Sequence, residues 1–164
     1  PDAALYWLAK MIEAGEDPMF IARRMIVHAA EDVGNANPHA LMLAVSAAEA
    51  LEYVGLPEAR IPLAQAAIYI ASVPKSNAAV TAIDEALEAV RSNSTSGVPS
   101  HLKDSHYNGA QDLGNGAGYK YPHSYPGNYI KQQYLPDELK TAQFYSPTNN
   151  GHEQRLKKFL EQLD

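Results

Sequence analysis

The sequence predicts a mainly α-helical protein: a bundle of short helices in its first half, then an irregular segment rich in Tyr, Gly and Pro, then one closing helix. Three observations carry this reading. Ala-rich runs such as AVSAAEA and AQAAIYIA favour helix and keep side chains small enough for helix axes to approach closely. Gly recurs after these runs and Pro near their starts, the asymmetry expected of helix ends. Seven of the ten tyrosines and seven of the ten glycines lie beyond residue 92, where the apolar residues lose helical rhythm.

The first helix runs from Asp2, a candidate N-cap, to about Ala14, with Gly15 as its stop. Leu5, Leu8, Ala9 and Ile12 fall at i, i+3, i+4 and i+7 and give it one core-facing stripe. Asp17-Pro18 opens a second helix that reaches about Asp32, before Val33-Gly34. Asn37-Pro38 opens a third, ending at Tyr53 or Val54 before Gly55. Pro57 and Pro62 set a short turn or helical start, and Leu63 to Val73 reads as a fourth helix stopped by Pro74. Ser76 or Asn77 caps a fifth, from Ala78 to about Ser92. Short loops between such helices read as a bundle, and no fixed repeat supports a solenoid.

SNSTSGVPS, residues 92 to 100, is a linker by composition. A short helix is expected near His101 to Asp104, followed by a long run too rich in Gly, Pro and Tyr for regular structure. The closing helix spans about 151–163, with Asn150 and Glu153 as a capping box and Leu156, Phe159, Leu160 and Leu163 as its apolar stripe. The expected organisation is a helical domain, 1–92, and an extension, 93–164, packed on it.

A domain of 164 residues buries roughly 68–70% of its unfolded surface and needs no staple. The absence of Cys removes disulfides, thiolate metal sites and Cys nucleophiles, and suits a reducing compartment. No apolar stretch approaches the roughly 20 residues of a membrane-crossing helix, and the first residues lack a signal pattern. The missing initiator Met suggests a piece of a longer protein. The net charge of -6 resides in residues 1–91, which hold six bases and twelve acids; residues 92–164 hold seven of each. Neither half is basic enough to grip nucleic acid phosphates alone.

Gly114, Gly116 and Gly118 before Tyr119-Lys120 lack the GK[ST] and preceding strand of a phosphate loop, so a turned loop is expected. His28, Glu31, Asp32 and His39 lack the second pair of a bundle metal site, which favours a polar network between the second and third helices. Arg23 and Arg24 point about 100° apart: one should pair with an acid while the other stays solvated, and Arg is favoured at interfaces. The interleaved Tyr119, Lys120, Tyr121, His123, Tyr125, Tyr129, Lys131, Tyr134 and Lys140 read in two ways, as rings fastening an irregular segment to helices or as a stacking surface for single-stranded nucleic acid. No catalytic constellation emerges from spacing.

PDAALYWLAKMIEAGEDPMFIARRMIVHAAEDVG, with PKSN at Pro74 to Asn77, GYKYPH at Gly118 to His123, QQYLPDEL at Gln132 to Leu139 and FYSPTNNGHEQRL at Phe144 to Leu156, resembles the RarA (MgsA) ATPases, bacterial replication-associated recombination proteins related to eukaryotic Werner helicase-interacting protein. In that family an AAA+ module and its lid precede a helical C-terminal region, and this chain resembles that region alone. The resemblance implies a fold like the collar of clamp-loader subunits, a homotetramer held by this region, and a cytoplasmic parent, at the nucleoid or fork, that hydrolyses ATP in response to DNA at stalled or gapped forks. It implies ATP and Mg in the ATPase module and no cofactor here, because the Walker, arginine-finger and sensor residues have no counterparts. The expected oligomer surface comprises Tyr6, Trp7, Lys10 and Met11 with Arg23 and Arg24. The alternative is a binding module in which Tyr119, Lys120, Tyr121, His123 and Tyr125 contact single-stranded DNA, single-strand binding protein or another replication protein.

Overall fold

The structure, a computed structural model, describes residues 1–110 and 112–163. Among the described residues six α-helices form: α1 (Asp2–Glu13), α2 (Pro18–His28), α3 (His39–Val54), α4 (Arg60–Ser72), α5 (Ala78–Ser92) and α6 (Glu153–Leu160). No strand occurs among the described residues. The chain divides into two units, one of 1–84 with 145–161 and one of 85–144 with 162–164.

The helix boundaries of the first unit follow from local chemistry. The Asp17 carboxylate accepts from the N–H groups of Met19 and Phe20 at 3.0 and 3.1 Å, satisfying two of the amides that a helix start leaves without partners. Asn37 does the same for His39 at 3.2 Å. The Ser76 hydroxyl, of the two candidates at the start of α5, accepts from Ala78 N–H at 3.2 Å. α2 continues through a wider π turn, Ala29–Val33, up to Gly34.

Three expectations are corrected. Pro1 occupies the N-cap of α1 without a side-chain bond, and Asp2 is already helical. α4 begins at Arg60, earlier than Leu63, with Pro62 in its first turn, where a missing N–H costs nothing. α6 is shorter than expected and has no capping box: Asn150 donates its amide to the Lys75 carbonyl at 2.9 Å, and Glu153 turns elsewhere.

The core is built on α4. Leu63 and Ala66 pack with Leu8 of α1, Ile21 and Ala22 of α2, and Ala47 and Leu51 of α3. A second cluster joins Ala29 and Val33 to Ala40, Ala44 and Ile70. Alanine at most contacts lets the axes close up, and Leu63, wholly buried, contributes about 1.5–3 kcal/mol by leaving water.

The segment Tyr145–Leu160 is fastened into this unit by polar contacts. Glu153 has no exposed surface. Its carboxylate accepts from the Tyr145 hydroxyl at 2.9 Å and from the Thr148 N–H and hydroxyl at 2.9 and 2.6 Å. Beside it, His152 N–H donates to the Ala36 carbonyl at 2.8 Å.

In the second unit, 3₁₀ turns replace regular structure after α5. The short helix expected near His101 is one such turn, Ser100–Leu102. Others lie at Pro122–Ser124, Pro126–Asn128 and Asp137–Leu139. The linker is held at Ser96, whose N–H and hydroxyl both donate to Glu138, at 3.0 and 3.1 Å.

Candidate functional site

α1 presents an aromatic face to solvent. Tyr6 and Trp7 meet edge to face, with ring centroids 5.3 Å apart, and the Lys10 ammonium sits 5.1 Å from the Trp7 ring. A cation over indole at that distance is attracted by the ring's negative face. Trp7 is nevertheless 57% exposed, a large apolar surface left in water.

Apolar hollows lie beside this helix. One, of about 750 Å³, is lined between α1 and α4 by Leu5, Ile12, Ile61 and Ile68, with Glu13 and Arg60 also present. The other, of about 280 Å³, gathers Met11, Phe20, Met25 and Arg24 where α1 meets α2 and α4. Leu8 lines both. Of the candidate surface residues, Tyr6, Trp7 and Lys10 thus form one contact group, and Met11 and Arg24 share the smaller hollow. Arg23 is separate, paired with Asp17 at 3.3 Å in an exposed bridge of the kind that contributes about 0–1 kcal/mol.

In the second unit, Tyr119, Tyr121 and Tyr134 line a groove of about 780 Å³ with His101, Lys103, Asp104 and His106. The groove is built by the glycine loop. Gly116 N–H donates to the Ser100 carbonyl at 2.8 Å, and Ser105 lies too close for a Cβ at that position. The Gln132 side chain brackets Lys120, accepting from its N–H at 3.4 Å and donating to its carbonyl at 3.0 Å. His123 stacks at a tilt on Tyr121, centroids 5.1 Å apart, whereas Tyr125 is half-buried and does not line the groove. Lys103, Asp104 and His106 were not singled out by sequence reasoning, because only the loop closure brings them to the tyrosines. The His106 N–H and ring hold the Asp104 carboxyl below its ordinary value.

His28 Nδ1 lies 2.6 Å from Asp32, an exposed pair one helical turn apart. No group of three His, Cys, Asp or Glu among the described residues is arranged to hold a metal ion.

A model of the family described as "MgsA AAA+ ATPase C terminal" matches residues 1–164. The chain is 52% identical over 163 residues to replication-associated recombination protein A of Bacillus subtilis, covering 99% of this chain and 38% of that protein. It is 41% identical over 157 residues to the protein of the same name from Escherichia coli K12, covering 95% of this chain and 35% of that one. A eukaryotic relative, ATPase WRNIP1 of Dictyostelium discoideum, is 35% identical over 145 residues, 88% of this chain and 17% of its own length. The chain spans a little over a third of the length of these bacterial relatives. With the match running from first residue to last, the chain belongs to the MgsA AAA+ ATPase C-terminal family.

Proposed function

We propose that this chain is the non-catalytic assembly domain of a DNA-dependent AAA+ ATPase that acts in replication and recombination at stalled or gapped forks. The observation that carries the reading is the exposed aromatic face of α1 between apolar hollows, with Trp7 more than half in water. A face of that kind is costly on a monomer and is relieved by a partner. In a symmetric assembly each subunit offers the same surfaces, and a tetramer holds four ATPase modules at fixed spacing, so that weak DNA contacts act together through effective concentration. ATP and Mg belong to the ATPase module of such a parent, a cytoplasmic protein.

The test is the solution mass of the chain across a concentration series. A species near four times 17.9 kDa supports the reading, and a monomer throughout overturns it.

The tyrosine groove of the second unit favours a second reading, a module that binds single-stranded DNA. Three rings and Lys103 line one trough, and each stacked base contributes about 1–3 kcal/mol. Salt-dependent binding of an oligonucleotide, lost in Tyr119→Ala with Tyr121→Ala, supports it; no binding at low salt removes it.

A further inference from the structure

The starts of α3 and α6 line one hollow of about 330 Å³, wholly within the first unit. Asn37 and His39 line it at the start of α3, His152 and Arg155 at the start of α6, and Pro74 in the turn after α4. The two helix starts meet because Gly151 carries no side chain: a Cβ there would run into the Ala36 carbonyl, which accepts from His152 N–H at 2.8 Å. Among the described residues the lining holds no carboxylate. Glu153, next to His152 in sequence, turns inward to Tyr145 and Thr148. His39, His152 and Arg155 are exposed, and none of their side chains has a hydrogen-bond or ion-pair partner among the described residues. Such a grouping runs against its surroundings, since residues 1–84 hold five bases and ten acids.

We propose that this hollow binds a phosphate group through His39, His152 and Arg155. The side chains carry the site, because the neighbouring amides are taken: His39 N–H donates to the Asn37 side chain at 3.2 Å, Ala40 N–H to the Asn37 carbonyl at 3.1 Å and Glu153 N–H to the Asn150 carbonyl at 3.2 Å. A guanidinium gives an oxyanion two parallel N–H bonds, and an imidazole offers a ring N–H whether neutral or protonated. The guanidinium fork alone satisfies the two oxygens of a carboxylate; two further rings suit the additional oxygens of a tetrahedral phosphate. The phosphate is the free ion or one carried on a nucleic acid strand, and the experiment separates these sources. The site stands apart from self-association and from the tyrosine groove, which belongs to the second unit.

The chain's six histidines supply an internal control. Inorganic phosphate titrated at fixed pH and ionic strength should move the ring NMR signals of His39 and His152 along a saturating curve, while those of His28, His101, His106 and His123 stay in place. Arg155→Ala, a change at an exposed position, should raise the half-saturating phosphate concentration at least about tenfold, the effect of losing hydrogen bonds to a charged group. Equal shifts in all six rings, a response that does not saturate, or an Arg155→Ala curve identical to that of the wild type would each overturn the site and leave an adventitious ion only. A dinucleotide with a terminal phosphate then identifies the source. Saturation of His39 and His152 at a lower concentration than inorganic phosphate requires supports a phosphate carried on a strand; saturation no earlier supports the free ion, and no response at His39 and His152 to either probe overturns the proposal.

Discussion

Tyr145 donates its hydroxyl to Glu153 at 2.9 Å, tying the start of the C-terminal segment to the first turn of α6. The acid is fully buried yet has no ion-pair partner among the described residues. Burial acts to raise its pKa; hydrogen bonds from the Thr148 and Ser76 hydroxyls, the Thr148 N–H and Tyr145 outweigh that and hold it below its ordinary 4.5. Burial pushes the Tyr145 phenol up. The charge is therefore stabilised by dipoles, which identifies the role of Glu153 as fastening the segment.

Glu153→Gln places an NH₂ among groups that all donate, and should lower unfolding free energy in urea by about 1–3 kcal/mol. The pH dependence has a definite sign. Because the folded pKa is depressed, the contribution of Glu153 is fully present above about pH 4.5 and is lost as pH falls through the lowered value. The gap between wild type and Glu153→Gln should thus be constant above pH 5 and narrow below 4.5; a gap that persists unchanged at pH 3 would show that the charge is not what the site stabilises.

Gly151→Ala should loosen the same segment. Its φ is +53°, and a Cβ there would run into the Ala36 carbonyl and come 3.2 Å from the Pro74 side chain. The left-handed backbone alone costs about 1–2 kcal/mol for an L-residue, and the collision adds to it. The amide of residue 152, which donates to Ala36 in the native chain, should exchange with solvent at least about tenfold faster. Unchanged protection there would mean that the segment is not held at Ala36.

Asp17→Ala tests the cap of α2 and should cost about 1 kcal/mol, because two helix-start amides lose their acceptor. Arg23→Ala removes only the exposed bridge to the same carboxylate and should stay within about 0.5 kcal/mol. Thermal unfolding of the two variants ranks the contributions, and equal losses would assign the stability to the ion pair instead of the cap.

The helices were legible because their signals are local. Asp17-Pro18, Asn37-Pro38 and the glycines at 15, 34 and 55 satisfy or stop a helix through neighbours within four residues. Glu153 was misread for the opposite reason. Three residues after Asn150 it matches a capping box, but the competing donors at Ser76 and Tyr145 reach it only through the tertiary fold, and the Asn150 amide is taken by Lys75. On α1, the exposed positions of Tyr6, Trp7 and Lys10 follow from the stripe that Leu8 and Ile12 define, whereas the hollow beside it depends on Ile61 and Ile68 of α4. The tyrosine groove needed the closure of Gly116 on Ser100, which no periodicity encodes.

Trp7 is the chain's single tryptophan, so its fluorescence reports the α1 face directly. An indole more than half in water emits at long wavelength; burial against a second subunit should shift the emission to the blue as concentration rises, in step with the increase in mass. Trp7→Ala should raise the concentration needed for assembly by at least about tenfold, the effect of losing one interface anchor worth about 1.4 kcal/mol or more. Its effect on unfolding of the isolated subunit should be small, because the exposed ring contributes little to the core that Leu8 and Leu63 build. Emission that stays independent of concentration while the mass rises would move the seam off α1.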